Sequence, residues 1–129
     1  MRYLGIDYGD VRIGLALADE SNFALPFKII DNDTKVWDTL AAIQRSEKIT
    51  DFVVGWPISM SGNENERTKK TEEFMQELKV RFALPVHRAD ERLSTAAAKK
   101  DTNKHRVDAE AASHILQSYL DSYDHHNTV

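Results

Sequence analysis

Three carboxylates lie far apart in the chain yet could act together if the fold carried them to one edge: Asp7, Glu91 and Asp108. Asp7 closes an apolar run, Tyr3-Leu4-Gly5-Ile6, and is followed by Tyr8-Gly9-Asp10 and a second apolar run. Glu91 follows Pro85-Val86-His87-Arg88-Ala89, and Asp108 stands one helical turn before Ala112. A cluster of carboxylates without thiolates, and without histidines at ligand spacing, suits a hard cation such as Mg2+ or Mn2+. Two such ions ~3.5–4 Å apart can activate a water and stabilise the leaving oxygen of a phosphodiester. Taken singly, the acids have plainer readings. Asp7 and Asp10 suit a turn, and Asp108 suits the positive end of a helix. Asp90 reads as a cap or a partner of Arg92, and Glu110, about 200° from Asp108 around an ideal helix, as solvated. The five histidines read as non-catalytic.

A polyanionic substrate would need basic residues nearby, because the formal net charge of -4 gives no general attraction to nucleic acid. Arg12 and Arg92 flank the acids, and Lys99, Lys100, Lys104, His105 and Arg106 crowd the stretch before Asp108. These are the candidate phosphate contacts, although the same stretch reads equally as an exposed loop. Lys69 and Lys70 stand among Glu64, Glu66, Glu72 and Glu73 and read as a solvated helix face. Trp56 reads as a cover for the core, with stacking on a base as the alternative.

The elements that must position these residues follow from periodicity. Residues 2–7 and 11–18 read as strands joined at Gly9. In the second, Val11, Ile13, Leu15 and Leu17 share one face, while Arg12, Gly14, Ala16 and Ala18 share the other, where a helix could come close. A third strand over 24–30 carries Pro26, which marks an edge or an irregular start. A helix over 35–48 turns Val36, Trp37, Leu40 and Ile43 inward. A strand over 51–56 stops at Pro57, and a loop leads to a helix over 65–82 with Thr71, Phe74, Met75, Leu78 and Phe82 on one stripe. The strand over 85–89 leads into Asp90-Glu91-Arg92, followed by a short helix near 95–100 and a loop over 101–106. The last helix, 107–123, buries Ala112, Ile115, Leu116, Tyr119, Leu120 and Tyr123, and a polar tail over 124–129 is expected to fray. Three linked strands favour an antiparallel meander, and the later strands, alternating with helices, should run parallel to the first. Asp7, Glu91 and the end of the fourth strand then face one edge, where ligands of such sheets sit.

The 129 residues suit one domain spanning 1–129. An apolar fraction of 41% can fill a core, and no run approaches the ~20 residues of a membrane span, so no membrane partner is expected. The absence of cysteine excludes disulfides and thiolate sites and is compatible with a reducing cytoplasm.

With the motifs in hand, the chain resembles a known family. Asp7-Tyr8-Gly9, Arg12-Ile13-Gly14 and Ala16 resemble the opening motif of the YqgF/RuvX family, the pre-16S rRNA nucleases once described as Holliday-junction resolvase-like. Val54-Gly55-Trp56-Pro57 with Gly62 resembles its second motif, which more often has leucine at the place of Trp56. Asp90 to Thr95 resembles the third, and Asp108, Ala111-Ala112 and Ile115 to Leu120 the last. The family usually has a longer basic segment than Leu93 to Val107 between Arg92 and the last acid. The resemblance implies an RNase H-like α/β fold, with a mixed five-stranded sheet of three antiparallel and then parallel strands flanked by helices. It implies a metal-dependent nuclease that matures the 5′ end of 16S rRNA in the cytoplasm, as part of ribosome biogenesis, with Asp7, Glu91 and Asp108 as catalytic and metal-binding residues. The partners expected are an rRNA precursor, structured DNA as an alternative, and a ribosomal precursor particle, with the chain a monomer or dimer. Three other functions compete: cleavage of DNA four-way junctions by the same acids, RNA binding without turnover in ribosome assembly, and the phosphate-binding turn of actin-like ATPases, which use two such domains.

Overall fold

The Tyr3–Asp7 strand, β1, runs through the middle of the sheet and is buried along its whole length. In the computed structural model, residues 1–58, 66–92 and 108–127 are described, with the main chain alone at 58, 91, 92 and 123–127. Arg12–Ala18 (β2) returns antiparallel beside β1, and Leu25–Asp31 (β3) pairs antiparallel outside β2. On the other side of β1, Asp51–Ile58 (β4) runs parallel to it, and Val86–Arg92 (β5) runs parallel to β4. The strand order is β3-β2-β1-β4-β5, the mixed sheet expected from the chain order, with Pro26 on an edge strand as expected.

Alternation along the strands divides the molecule into two layers of side chains around the sheet. Leu4 and Ile6 of β1, Ile13 and Leu15 of β2, and Phe52 and Val54 of β4 face one side. There they pack against Val36, Leu40 and Ile43 of helix α1 (Val36–Glu47) and Phe74, Met75 and Leu78 of helix α2 (Glu66–Phe82). The other side carries Tyr3, Ala16, Ala18, Val53 and Ala89 under helix α3 (Ala109–Asn127). The large/small division of β2 read from the sequence is therefore real, except that Val11 lies outside the strand and is 71% exposed. Gln117 of α3 ties the helix to the β2–β3 connection. Its Oε1 accepts from the Ala24 N–H at 2.9 Å, and its Nε2 donates to the Asn22 carbonyl at 3.1 Å.

Three elements differ from the sequence reading by two residues or more. β4 does not stop at Pro57 but continues to Ile58, opposite Arg92. The reason is the direction of the missing donor. In β4 the Asp51 N–H points to Arg2 beside β1, and the Phe52 N–H points to Pro85 beside β5. Odd positions thus face β1, whose pairing with β4 ends at Ile6 and Val54, so Pro57 removes a donor where no neighbouring strand accepts it. β5 is lengthened in step, which puts Glu91 inside the strand rather than just past it. α3 begins at Ala109 instead of 107 and runs to Asn127 rather than 123. The expected short helix near 95–100 and loop over 101–106 lie outside the described residues. No helix among the described residues is long and apolar enough to cross a membrane.

Candidate active site at the carboxyl edge of the sheet

The carboxyl ends of β1, β4 and β5 share one edge, and Asp7 is the last residue of β1. Its position alternates with Tyr3 and Gly5, so it belongs to the face covered by α3, and it is 2% exposed. A carboxylate removed from water to that degree is costly without hydrogen bonds, a partner or a cation. The turn after it is fixed from two sides. Asn32 Nδ2 donates to the Gly9 carbonyl at 2.7 Å, and the Tyr8 ring packs on Phe74 of α2 with centroids 4.7 Å apart.

Asp108 reaches the same corner by a different route. It stands just before α3, where its Oδ1 accepts from the Ala111 N–H at 2.6 Å and its carbonyl accepts from the Ala112 N–H at 3.1 Å. This is N-capping, the plainer role open to it in the sequence. Its main chain lies on Gly14, where a Cβ would come within 2.2 Å of the Asp108 carbonyl oxygen. Gly14 is the residue opposite Asp7 in the β1–β2 ladder. A missing side chain on β2 therefore lets the start of α3 settle beside the end of β1. The cap occupies one of the two oxygens of the Asp108 carboxylate. Asp108→Ala is expected to lose about 1 kcal/mol in urea denaturation, while Asp108→Asn, which still caps, keeps the wild-type midpoint. Equal losses from both would contradict capping as the structural role.

Glu91 stands opposite Pro57 and two positions beyond Ala89, in phase with Ala89 and Asp7 along the sheet. Its side chain and that of Arg92 lie outside the described residues, as do Lys99, Lys100, Lys104 and Arg106. Among the described residues no three His, Cys, Asp or Glu side chains form a group that could hold a metal ion. Two of the three candidate acids belong to that described set, and the third enters by its main chain alone. Arg12 is exposed, in alternation with Gly14 and nearer the edge.

Several neighbours settle into structural roles. Asp90 pairs with Arg88 at 3.0 Å, the expected pairing with Arg92 lies outside the described side chains, and the Arg88 guanidinium lies 4.9 Å from the centre of the Trp56 ring. Trp56 packs on the core layer shared with α1 and α2, as expected of a cover. His87 stands toward the opposite end of β5, bonded to Asp51 Oδ2 at 2.8 Å and stacked on Tyr119. The sequence reading missed Lys70. Its Nζ reaches Asp10 Oδ1 at 3.3 Å, across the turn that follows Asp7. Charge spacing marks Lys70 as exposed, and no pattern in the sequence says which turn lies across from it.

Comparison with known proteins identifies a family and a fold. Residues 1–122 match the family model described as "RuvX: Holliday junction resolvase". A protein of Maridesulfovibrio salexigens named "Putative pre-16S rRNA nuclease" is 35% identical, over 93% of this chain and 98% of its own length. One of the same name from an Anaeromyxobacter species is 40% identical, over 94% of this chain and 97% of its own length. In structure, the chain is similar to Thermus thermophilus RuvC in complex with a Holliday junction substrate. The TM-score is 0.63 with 12% identity, covering 95% of each chain. Fowlpox virus resolvase with its junction DNA gives a TM-score of 0.58 at 16% identity, over 95% of this chain and 99% of that one. At such identities these two likenesses establish the fold, an RNase H-like one.

Proposed function

The chain belongs to the RuvX family, and from that premise we propose that it cleaves RNA at a divalent-metal site formed by Asp7, Glu91 and Asp108, acting on the precursor of 16S rRNA. Its class is that of a phosphodiester-hydrolysing nuclease. The observation that carries the site assignment is the junction of Asp7 and Asp108 across Gly14, at the edge where the parallel strands end. RNA is preferred to DNA because the relatives matched over nearly their full length at 35% and 40% identity bear an rRNA-processing name. The junction-cleaving neighbours share the fold at far lower identity.

The donor set fits Mg2+ or Mn2+: carboxylate oxygens, in a chain without cysteine. Asp7, Glu91 and Asp108 would hold the metal, which when bound supplies positive charge to acidify a water and to offset the phosphate. The chain's own contribution is to fix Asp7 at the end of a fully buried strand and Asp108 in a helix cap, so that neither must be ordered when substrate arrives. Arg12 and Arg92, with Lys99, Lys100, Lys104 and Arg106, would engage phosphates on either side of the scissile bond. The setting proposed is cytoplasmic, on a ribosomal precursor particle, with the protein a monomer or dimer within one folded domain.

The test compares cleavage of a 16S rRNA precursor and a four-way DNA junction by the same preparation. Cleavage of the RNA is expected in Mg2+ or Mn2+, to cease with EDTA and to return when the metal is restored. Faster cleavage of the junction would move the assignment to DNA, and undiminished cleavage in EDTA would remove the metal from it.

A further inference from the structure

The turn between β1 and β2 is held to α2 by two contacts of different kinds. One is apolar, the Tyr8 ring on Phe74. The other is polar and open to water, the Lys70–Asp10 pair, whose side chains are 45% and 67% exposed. Lys70 lies one helical turn before Phe74, so both contacts come from the same side of α2 and meet consecutive parts of the turn. The Tyr8 ring and the Asn32–Gly9 hydrogen bond also hold the turn, and an exposed ion pair of this sort adds little to stability. The hydrogen bond to Asp10, and then the charge of Asp10, hold the Lys70 ammonium above the ordinary lysine value. The ammonium stands beside the turn that follows β1, paired with an anion open to water.

We propose that Lys70 is a substrate-binding residue: it leaves Asp10 to contact a backbone phosphate of the nucleic acid lying across the edge, and Asp10 occupies the phosphate's place until then. The inference rests on the nuclease reading above. It adds a contact on the α2 side of the edge, opposite the α3 face to which Arg12 and Asp7 belong. Lys70 then acts as a point charge on a flexible stem, able to move between two anions. Asp10 is the selective element, since it repels a phosphate unless the ammonium turns to meet it.

The test measures affinity for a labelled structured RNA, and for a four-way DNA junction, from about 0.05 to 0.2 M salt, where each phosphate contact contributes about 0.7–0.9 to the slope of log affinity against log salt. Lys70→Ala is expected to weaken binding most at about 0.05 M salt, the deficit against wild type shrinking about threefold by about 0.2 M as the slope becomes shallower by about one contact. Lys70→Arg restores both, and Asp10→Asn tightens binding, with thermal midpoints close to wild type throughout. If Lys70→Ala keeps the wild-type affinity and slope, the inference falls while the nuclease reading stands. The inference also falls if Asp10→Asn weakens binding as much as Lys70→Ala does, since that marks a structural pair. If the wild-type protein binds neither nucleic acid, both readings fall together.

Discussion

Asp7→Asn is expected to lower RNA cleavage by at least about 10^2–10^3-fold, the scale on which preorganised electrostatic groups act in active sites, without weakening the fold. The side chain is 2% exposed at the end of the central strand. Asparagine has nearly the same shape but no charge, so it removes the anion proposed to hold the metal and also the cost of burying one. Stability should therefore stay level or rise, the trade expected of an active-site charge. Single-turnover cleavage in Mg2+, measured beside urea denaturation, separates the two effects. Cleavage within tenfold of wild type would end the assignment of Asp7, and a large loss of stability would show that the carboxylate serves the fold instead.

Gly14→Ala should damage both properties at once. The added methyl carbon would stand 2.2 Å from the Asp108 carbonyl oxygen and 2.6 Å from its carbonyl carbon. Both are main-chain atoms, so no side-chain rotation relieves the clash and the start of α3 must lift. Overpacking of this kind costs about 1–3 kcal/mol, and the lift carries Asp108 away from Asp7. Val80→Ala on α2, at a position 80% exposed, is the control and should leave stability and cleavage unchanged. A Gly14→Ala protein with wild-type cleavage would show that Asp108 need not sit where the structure puts it.

Much of this arrangement is legible in the sequence because it depends on alternation. The contrast of Ile13 and Leu15 with Gly14, Ala16 and Ala18 announces one face that fills a core and another that admits a helix close by. The stripe from Ala112 to Leu120 names that helix and, counted backward, Asp108. What stays hidden depends on where a neighbouring strand ends. Proline reads as a strand stop, and only the early finish of β1 makes Pro57 harmless within β4. The position of Glu91 follows from that same extension of the ladder. The pairing of Asp90 with Arg88, whose guanidinium lies over the Trp56 ring of the neighbouring strand, is not set by spacing alone. The Asp10–Lys70 pair spans sixty residues and depends on how α2 lies across the turn, which no local pattern encodes.

The bed beneath α3 is made of absent atoms on three strands. At Gly5 a Cβ would come within 2.7 Å of Leu116, at Gly55 within 2.7 Å of Ile115, and at Gly14 it would meet the main chain of Asp108. At Gly55 the near atom is the tip of the Ile115 side chain, which can turn aside, but Gly5 and Gly14 meet Leu116 Cβ, the Ala112 carbonyl and the Asp108 main chain, so these two share a displacement: whatever raises α3 at one makes room at the other. Their penalties are therefore sub-additive, since neighbouring sites that share one shift do not behave independently. A lineage that had already accepted a larger residue at Gly5 could take one at Gly14 at less cost to folding. At the proposed site the loss would fall on catalysis, because raising α3 also carries Asp108 away from Asp7.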